Sequence, residues 1–275
     1  MYLACDGPRE KVEGELGKVE ALRSELLSMV DWDCLVECRF LDSNSGCGLA
    51  VSGAITWFFE HESEGIILED DCLPCPSFFT YCDTMLERYR EDDRVASVSG
   101  SNVFQADVVA PKGQDYYFSR YPLMWGWASW RRAWQHYQFE VESLPLSFYK
   151  EHDLGGYFLK DRFNDFLQRI GSGKLNTWDF QWMVAVWHLS ALTVTPAMNL
   201  IQNIGFGEDA THTATSDGHS RFSVTAAVES VDWSGASPLT VCKQYDKRVI
   251  ATWLNASMRA YLWRHARRVL QIIKK

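Results

Sequence analysis

The sequence predicts an α/β fold with a mostly parallel sheet flanked by helices, and three observations carry that expectation. Short apolar runs alternate with helix-period segments through the first 100 residues. The connections between them are short and polar, as in units that wind helices around a sheet. The run Gly65-Ile66-Ile67-Leu68 stops at three consecutive acids and then Pro74, the pattern of a buried strand with a polar end.

The elements follow in order. Tyr2 to Cys5 reads as a strand ended by the turn signal Asp6-Gly7-Pro8. A helix pattern runs from about residue 10 to 30, with Val19, Leu22, Leu26 and Leu27 on one face. Cys34 to Leu41 reads as a strand in which Cys34, Val36 and Cys38 share a buried face. A polar loop at 42–46 feeds a helix over 48–60. After the acidic strand come a helix over 77–89 and a strand over 95–99. Beyond residue 100 the alternation lapses. Tyr116 to Phe118 predicts a strand, Trp127, Trp130 and Trp134 fall at helical spacing, and 161–170 and 180–189 predict helices. Residues 205–219, rich in Gly, Thr, Ser, Asp and His, predict a mobile loop, and helix returns from about 246 to the end. The division expected is a main domain over 1–225 and a basic helical extension over 226–275.

A chain of 275 residues can bury a substantial core, and its 12 Trp are high for such a chain. No stretch approaches the roughly 20 apolar residues of a membrane span. The early charges Asp6, Arg9, Glu10 and Lys11 do not resemble a signal peptide, which predicts a cytoplasmic location and reduced thiols for the eight cysteines. Cys34/Cys38 and Cys72/Cys75 lack a histidine at ligand spacing and read as structural rather than zinc-binding. Residues 243–275 hold nine Lys or Arg against one acid, a net of +8, which leaves −17 on the rest of a chain whose total is −9. A body that acidic excludes nucleic acid as the partner. In the basic tail, Leu262, Trp263, Val269, Leu270 and Ile273 can form an apolar stripe. Two readings stand: a helix packed on the sheet, or peripheral contact with the inner face of an anionic membrane.

Four stretches could carry chemistry. Glu69-Asp70-Asp71, at a strand end where α/β sheets bind ligands, crowds three carboxylates that repel unless a cation lies among them. A hard ion, Mn²⁺ or Mg²⁺, suits oxygen ligands and bridges to phosphates. Alternation along the strand sets Glu69 and Asp71 to one side and Asp70 to the other. Asp6 ends the first strand on the same sheet edge and can cap a helix or accept an imide N–H. The glycine of Trp125-Gly126-Trp127 suggests backbone passing close to something flat, with one indole as a wall for a sugar, against plain core packing. Asp179, between Trp178 and Phe180, is either an acid favoured by a helix N-terminus that Asn176 or Thr177 caps, or a general base with a raised pKa. Gly205, Gly207, Thr211 and His212 could cradle phosphate or form a surface loop.

Together, Asp6-Gly7-Pro8-Arg9, Glu69-Asp70-Asp71, Trp125-Gly126-Trp127, Trp178-Asp179 and Asn203-Ile204-Gly205 resemble, in order, the motifs of nucleotide-sugar glycosyltransferases of GT-A (Rossmann-like) fold. The likeness is to the N-acetylglucosaminyltransferase I type and to bacterial polysaccharide glycosyltransferases. It runs to about Thr213. It implies an inverting transfer from a UDP-sugar or other nucleotide-sugar donor to a hydroxyl of a glycan or lipid-linked acceptor, in bacterial surface polysaccharide synthesis. By this resemblance Asp6 reads the uracil, and Asp6, Arg9, Glu69, Asp70, Trp127 and His212 form the donor-binding set. Asp71 with Glu69 binds Mn²⁺ or Mg²⁺, Asp179 deprotonates the acceptor hydroxyl, and the loop from Gly205 to His212 orders over the nucleotide. The family ordinarily carries a strand and helix ahead of Asp-Gly-Pro-Arg; here Met1 stands five residues before Asp6, so the resemblance implies that the first βα unit is missing. The rival readings are a nucleotidyltransferase, whose early glycine-rich phosphate loop is not visible, and an inactive sugar- or nucleotide-binding protein.

Overall fold

In the computed structural model, residues 1–104, 114–205, 233, 235 and 237–264 are described. The chain begins with β1 (Tyr2–Cys5), α1 (Glu15–Ser28), β2 (Glu37–Phe40), α2 (Cys47–His61) and β3 (Glu64–Ile67). Next come β4 (Cys72–Pro74), α3 (Pro76–Tyr89), β5 (Val95–Ser99), β6 (Tyr116–Ser119) and β7 (Trp127–Trp130). The short helices α4 (Arg131–Trp134) and α5 (Leu146–Glu151) lead to α6 (Gly156–Gly171) and α7 (Asp179–His188). β8 (Leu192–Pro196), β9 (Ile201–Asn203) and α8 (Lys243–Arg248) complete the order, with a π-helical turn over Val249–Trp253 and helix again over 258–264.

The fold is α/β, but the main sheet is mixed rather than mostly parallel. Its five strands run β3-β7-β5-β8-β6, and only β5 and β8 are parallel neighbours. β1 and β2 form a separate parallel pair, and β4 pairs antiparallel with β9. β7 is the correction that changes the sheet. Trp127, Trp130 and Trp134 lie at helical spacing, yet Trp127–Trp130 is a central strand. Alternation decides it: Trp127 faces one cluster, while Ala128 and Trp130 face the other. Gly126, at φ 56°, starts the strand and lies so close to Ile201 and Leu68 that a side chain there would collide with both.

The apolar face of α3 covers one side of the sheet, setting Phe78, Tyr81, Met85 and Leu86 against Val98, Phe118, Trp130 and Val194. On the other side α7 is buried nearly all round, as a helix apolar on every face must be. It joins Trp127, Trp134 and Trp178 with its own Trp182, and Tyr121 and Tyr149 with its Trp187. The chain after residue 233 shares this core: Trp233 packs on Tyr81, and Tyr245, Val249 and Leu254 pack beside Tyr117 and Tyr121. Arg120, the Ser119 hydroxyl and the backbone N–H of Arg120 all donate to the buried Asp246 carboxylate.

Three local expectations give way. In α1 no residue is fully buried; Leu22 and Leu27 are each nearly half exposed, and the helix turns Val19, Arg23 and Leu26 inward, Arg23 lying over Phe40 of β2. Cys34 precedes β2 instead of lying in it, and Cys38 is exposed, so that face is not a buried row of thiols. At the start of the last helix Arg264 is buried against Asp161, while Leu262 and Trp263 are more than half exposed; Val269, Leu270 and Ile273, the rest of the expected stripe, lie outside the described residues. The eight cysteines are free thiols, and no helix among the described residues is long and apolar enough to cross a membrane.

Candidate functional site

β3 ends at Ile67, so the three acids lie on a turn rather than on extended strand. The turn is closed by Cys72 N–H donating to the Glu69 carbonyl at 3.0 Å. Strand alternation therefore does not orient them, although its outcome survives in part: Glu69 and Asp71 are partly buried and Asp70 is exposed. The pairing of β4 with β9 brings the next stretch against this turn. Ile204 N–H donates to the Asp71 carbonyl at 2.8 Å, and a Cβ on Gly205 would meet Asp71 Oδ2 at 2.5 Å. Only glycine allows the chain to pass that close to the carboxylate. Gly205 N–H is held by Asn203 Oδ1 at 2.9 Å.

α7 delivers the fourth acid. Trp178 is its N-cap residue and makes no side-chain cap. Instead of capping, the Thr177 hydroxyl donates to Asp179 Oδ1, and Phe180 N–H donates to the same oxygen at 3.0 Å. Asn176, the other expected cap, accepts from Gly48 N–H at 2.8 Å and so ties α7 to the start of α2. Trp178, the residue before α7, lies near enough to the acidic turn to lower the Glu69 pKa.

Electrostatics show how tightly these groups gather. Burial first, and then the charges of Asp71, Asp179 and Asp70, push the Glu69 carboxyl up to about 8, against the opposing pull of Trp178. Cys47 opens α2, where a helix N-terminus would ordinarily lower a thiol pKa. Here burial and the charges of Glu69, Asp179, Asp70 and Asp6 win and push it up to about 11. Residues from four separate elements thus share one acidic locality. Among the described residues no ion pair reaches Glu69, Asp70 or Asp71.

The remaining sequence candidates divide. Asp6 lies in the same locality, but its carboxylate accepts four hydrogen bonds, from Gly7 N–H, Asn44 Nδ2, Ser45 N–H and Gly46 N–H. That fills the acceptor capacity of a carboxylate, so Asp6 organises the 44–46 loop instead of presenting a vacant acceptor to a base. Arg9 is largely exposed and pairs with Glu15 at the start of α1. Trp127 is 0% exposed, stacked on Trp178 with ring centroids 5.7 Å apart, and so is core rather than a sugar-facing wall. The half-exposed indole of that motif is Trp125, edge-on to Trp253 at 4.9 Å. His212 lies outside the described residues. Sequence reasoning missed the linking roles of Asn176 and Cys47. Their contacts run across the fold, and no local spacing signals them.

Among the described residues no group of three His, Cys, Asp or Glu side chains is arranged to enclose a metal ion. An all-oxygen set suits a hard cation, and Mg²⁺-type sites use one or two carboxylates completed by substrate phosphates rather than a closed protein cage. Glu69 and Asp71 fit that description. No protein-family model matches the chain, and no curated protein matches it.

Proposed function

We propose that this chain is an inverting glycosyltransferase of GT-A type. It would move a sugar from a UDP-sugar, or another nucleotide-sugar, to a hydroxyl of a glycan or lipid-linked acceptor. The observation that carries the reading is the convergence of Glu69, Asp70 and Asp71 with Asp179, from opposite halves of the sequence, into one acidic locality, where no ion pair among the described residues reaches the three acids of the turn. Carboxylates left unpaired at a turn are costly unless a ligand supplies the charge. Asp71 and Glu69 would hold Mn²⁺ or Mg²⁺ with the donor diphosphate, and the ion would offset the charge that grows on the leaving nucleotide.

The protein's own groups then divide the work. Asp179, its Oδ1 held by the Thr177 hydroxyl and Phe180 N–H, would take the proton of the acceptor hydroxyl. Trp178 lies between Asp179 and the acidic turn and favours the charged form of Glu69. One base opposite the leaving group supports a single in-line displacement, so an α-linked donor gives a β-linked product. Asn203 and Gly205 shape the wall beside Asp71. Arg9 and Trp127 take no part in this reading, and Asp6 acts through the loop that it closes.

The test is a panel of UDP-sugars with Mn²⁺, scored for UDP release in the presence of glycan acceptors. UDP release that falls by about 10²–10⁴ in kcat for Asp179→Asn, with donor binding nearly intact, supports the reading. Release of pyrophosphate, an α-linked product, or an Asp179→Asn variant with full turnover contradicts it.

A further inference from the structure

A groove of about 390 Å³ runs along α2, between that helix, Arg39 of β2 and the 137–139 segment, within the size range of small-molecule sites. Strand alternation puts Arg39 there. Arg23 of α1 lies over the Phe40 ring at 5.0 Å, so α1 covers that face of the β1–β2 pair, and Arg39 points the other way, to α2. Gly53 makes room for it: a Cβ there would stand 3.2 Å from Arg39 Nη2 and would meet no other residue within 4 Å. The guanidinium therefore lies directly over helix backbone. Glu60 lines the same groove two turns farther along α2. Arg39 and Glu60 do not pair with each other, and among the described residues no hydrogen bond or ion pair engages either side chain. Ring surface comes from Trp57, Tyr137 and Phe139, with Tyr137 stacked on Trp134 at 4.3 Å between centroids. Thr56 Oγ1 accepts from Trp134 Nε1 at 3.0 Å, which leaves the hydroxyl hydrogen to donate.

We propose that this groove binds a sugar ring that carries a carboxylate, a hexuronic acid. The carboxylate pairs with Arg39, whose planar fork matches it. Ring hydroxyls donate to Glu60 and accept from Thr56, and the less polar ring face lies against the aromatic side chains. Other small ligands use less of the groove. A neutral sugar leaves Arg39 without a partner, and an aromatic acid brings no donor for Glu60. A phosphate ester sets a second negative charge near Glu60, which repels it. None of the acids of the 69–71 turn lines this groove, and the site does not rest on the transfer reading.

The experiment uses the full chain without nucleotide or metal, so it does not depend on turnover. Three probes are compared by NMR titration: methyl β-D-glucuronide, methyl β-D-glucoside, which has a hydroxymethyl group in place of the carboxylate, and acetate. The expected result is saturable binding of the glucuronide, about tenfold tighter than the glucoside, the scale of one charge-assisted hydrogen bond. Acetate, which lacks the ring, should bind more weakly than the glucuronide. Arg39→Gln should remove the preference between the two glycosides. Gly53→Leu, which puts a side chain where the helix leaves open space, should abolish binding. Should Arg39→Gln fail to fold, the three probes on wild-type protein and Gly53→Leu still decide. No saturable binding, equal affinity for the two glycosides, or acetate bound as tightly as the glucuronide overturns the proposal. So does a preference that survives Arg39→Gln, or binding that survives Gly53→Leu.

Discussion

At Glu69 burial and the neighbouring charges act in the same direction, holding the carboxyl protonated until about pH 8. Its folded-state pKa is above the ordinary value, so the stability that it contributes is fully present below about 4.5 and is lost as pH rises through 8. A cation must displace that proton. Mn²⁺ affinity should therefore rise with pH, by up to about tenfold per unit below 8, with one proton released on binding. Titration calorimetry in two buffers of different ionisation heat measures the proton directly, and pH-independent affinity would remove Glu69 from the metal site. Asp6 behaves differently. Asp6→Ala removes four hydrogen bonds from the 44–46 loop and should cost about 2–3 kcal/mol of stability, seen as a lowered Tm. The acids were legible as a cluster because charge in sequence is visible without the fold. The roles of Asn176 and Cys47 were not, since each depends on a partner far along the chain.

Among the elements, those bounded by turns and breakers were readable: β1, α2, α3, β5 and α6 lie where periodicity puts them. β7 was not, because Trp127 and Trp130 keep helical spacing and, as a strand, face opposite sides of a sheet covered on both, so only the strands beside it decide. β8 and β9, short runs next to the buried α7, carry no flanking signal strong enough to separate them from loop. α1 shows the converse, a legible helix whose Leu22 and Leu27 are left exposed. Leu22→Glu should therefore change stability by less than about 0.5 kcal/mol in chemical denaturation. The segment around α8 is the opposite case. Asp246→Ala takes an acceptor from the Ser119 hydroxyl and from Arg120, which keeps Asp153, and should cost about 2–3 kcal/mol. Deleting 246–275 removes Asp246, Val249 and Arg264 together and should yield no folded protein; a stable, soluble truncation would show that this segment is separable from the core.

Across the whole molecule, a mixed sheet with a helical layer on each side brings one acidic turn, one helix start and the β9 edge to a common end. The parallel β1–β2 pair stands apart from the five-stranded sheet and reaches it through side chains, with Tyr2 packed edge-on to Phe58 and Trp57 of α2. α2 in turn is tied through Gly48 N–H and Asn176 to the segment that leads into α7. The strand–helix alternation of the first 100 residues made the α/β class readable. The order and direction of the strands were not, because β7 enters the sheet antiparallel from a stretch that carries a helical spacing. The central claim is that the acidic locality exists to hold a divalent cation against a nucleoside diphosphate. UDP binding measured by calorimetry with and without Mn²⁺, on wild-type protein and on Asp71→Ala confirmed folded by circular dichroism, tests it most directly. The account predicts Mn²⁺-dependent UDP binding in the wild type and its loss in Asp71→Ala, whereas UDP binding indifferent to Mn²⁺, or equal in the two proteins, would contradict it.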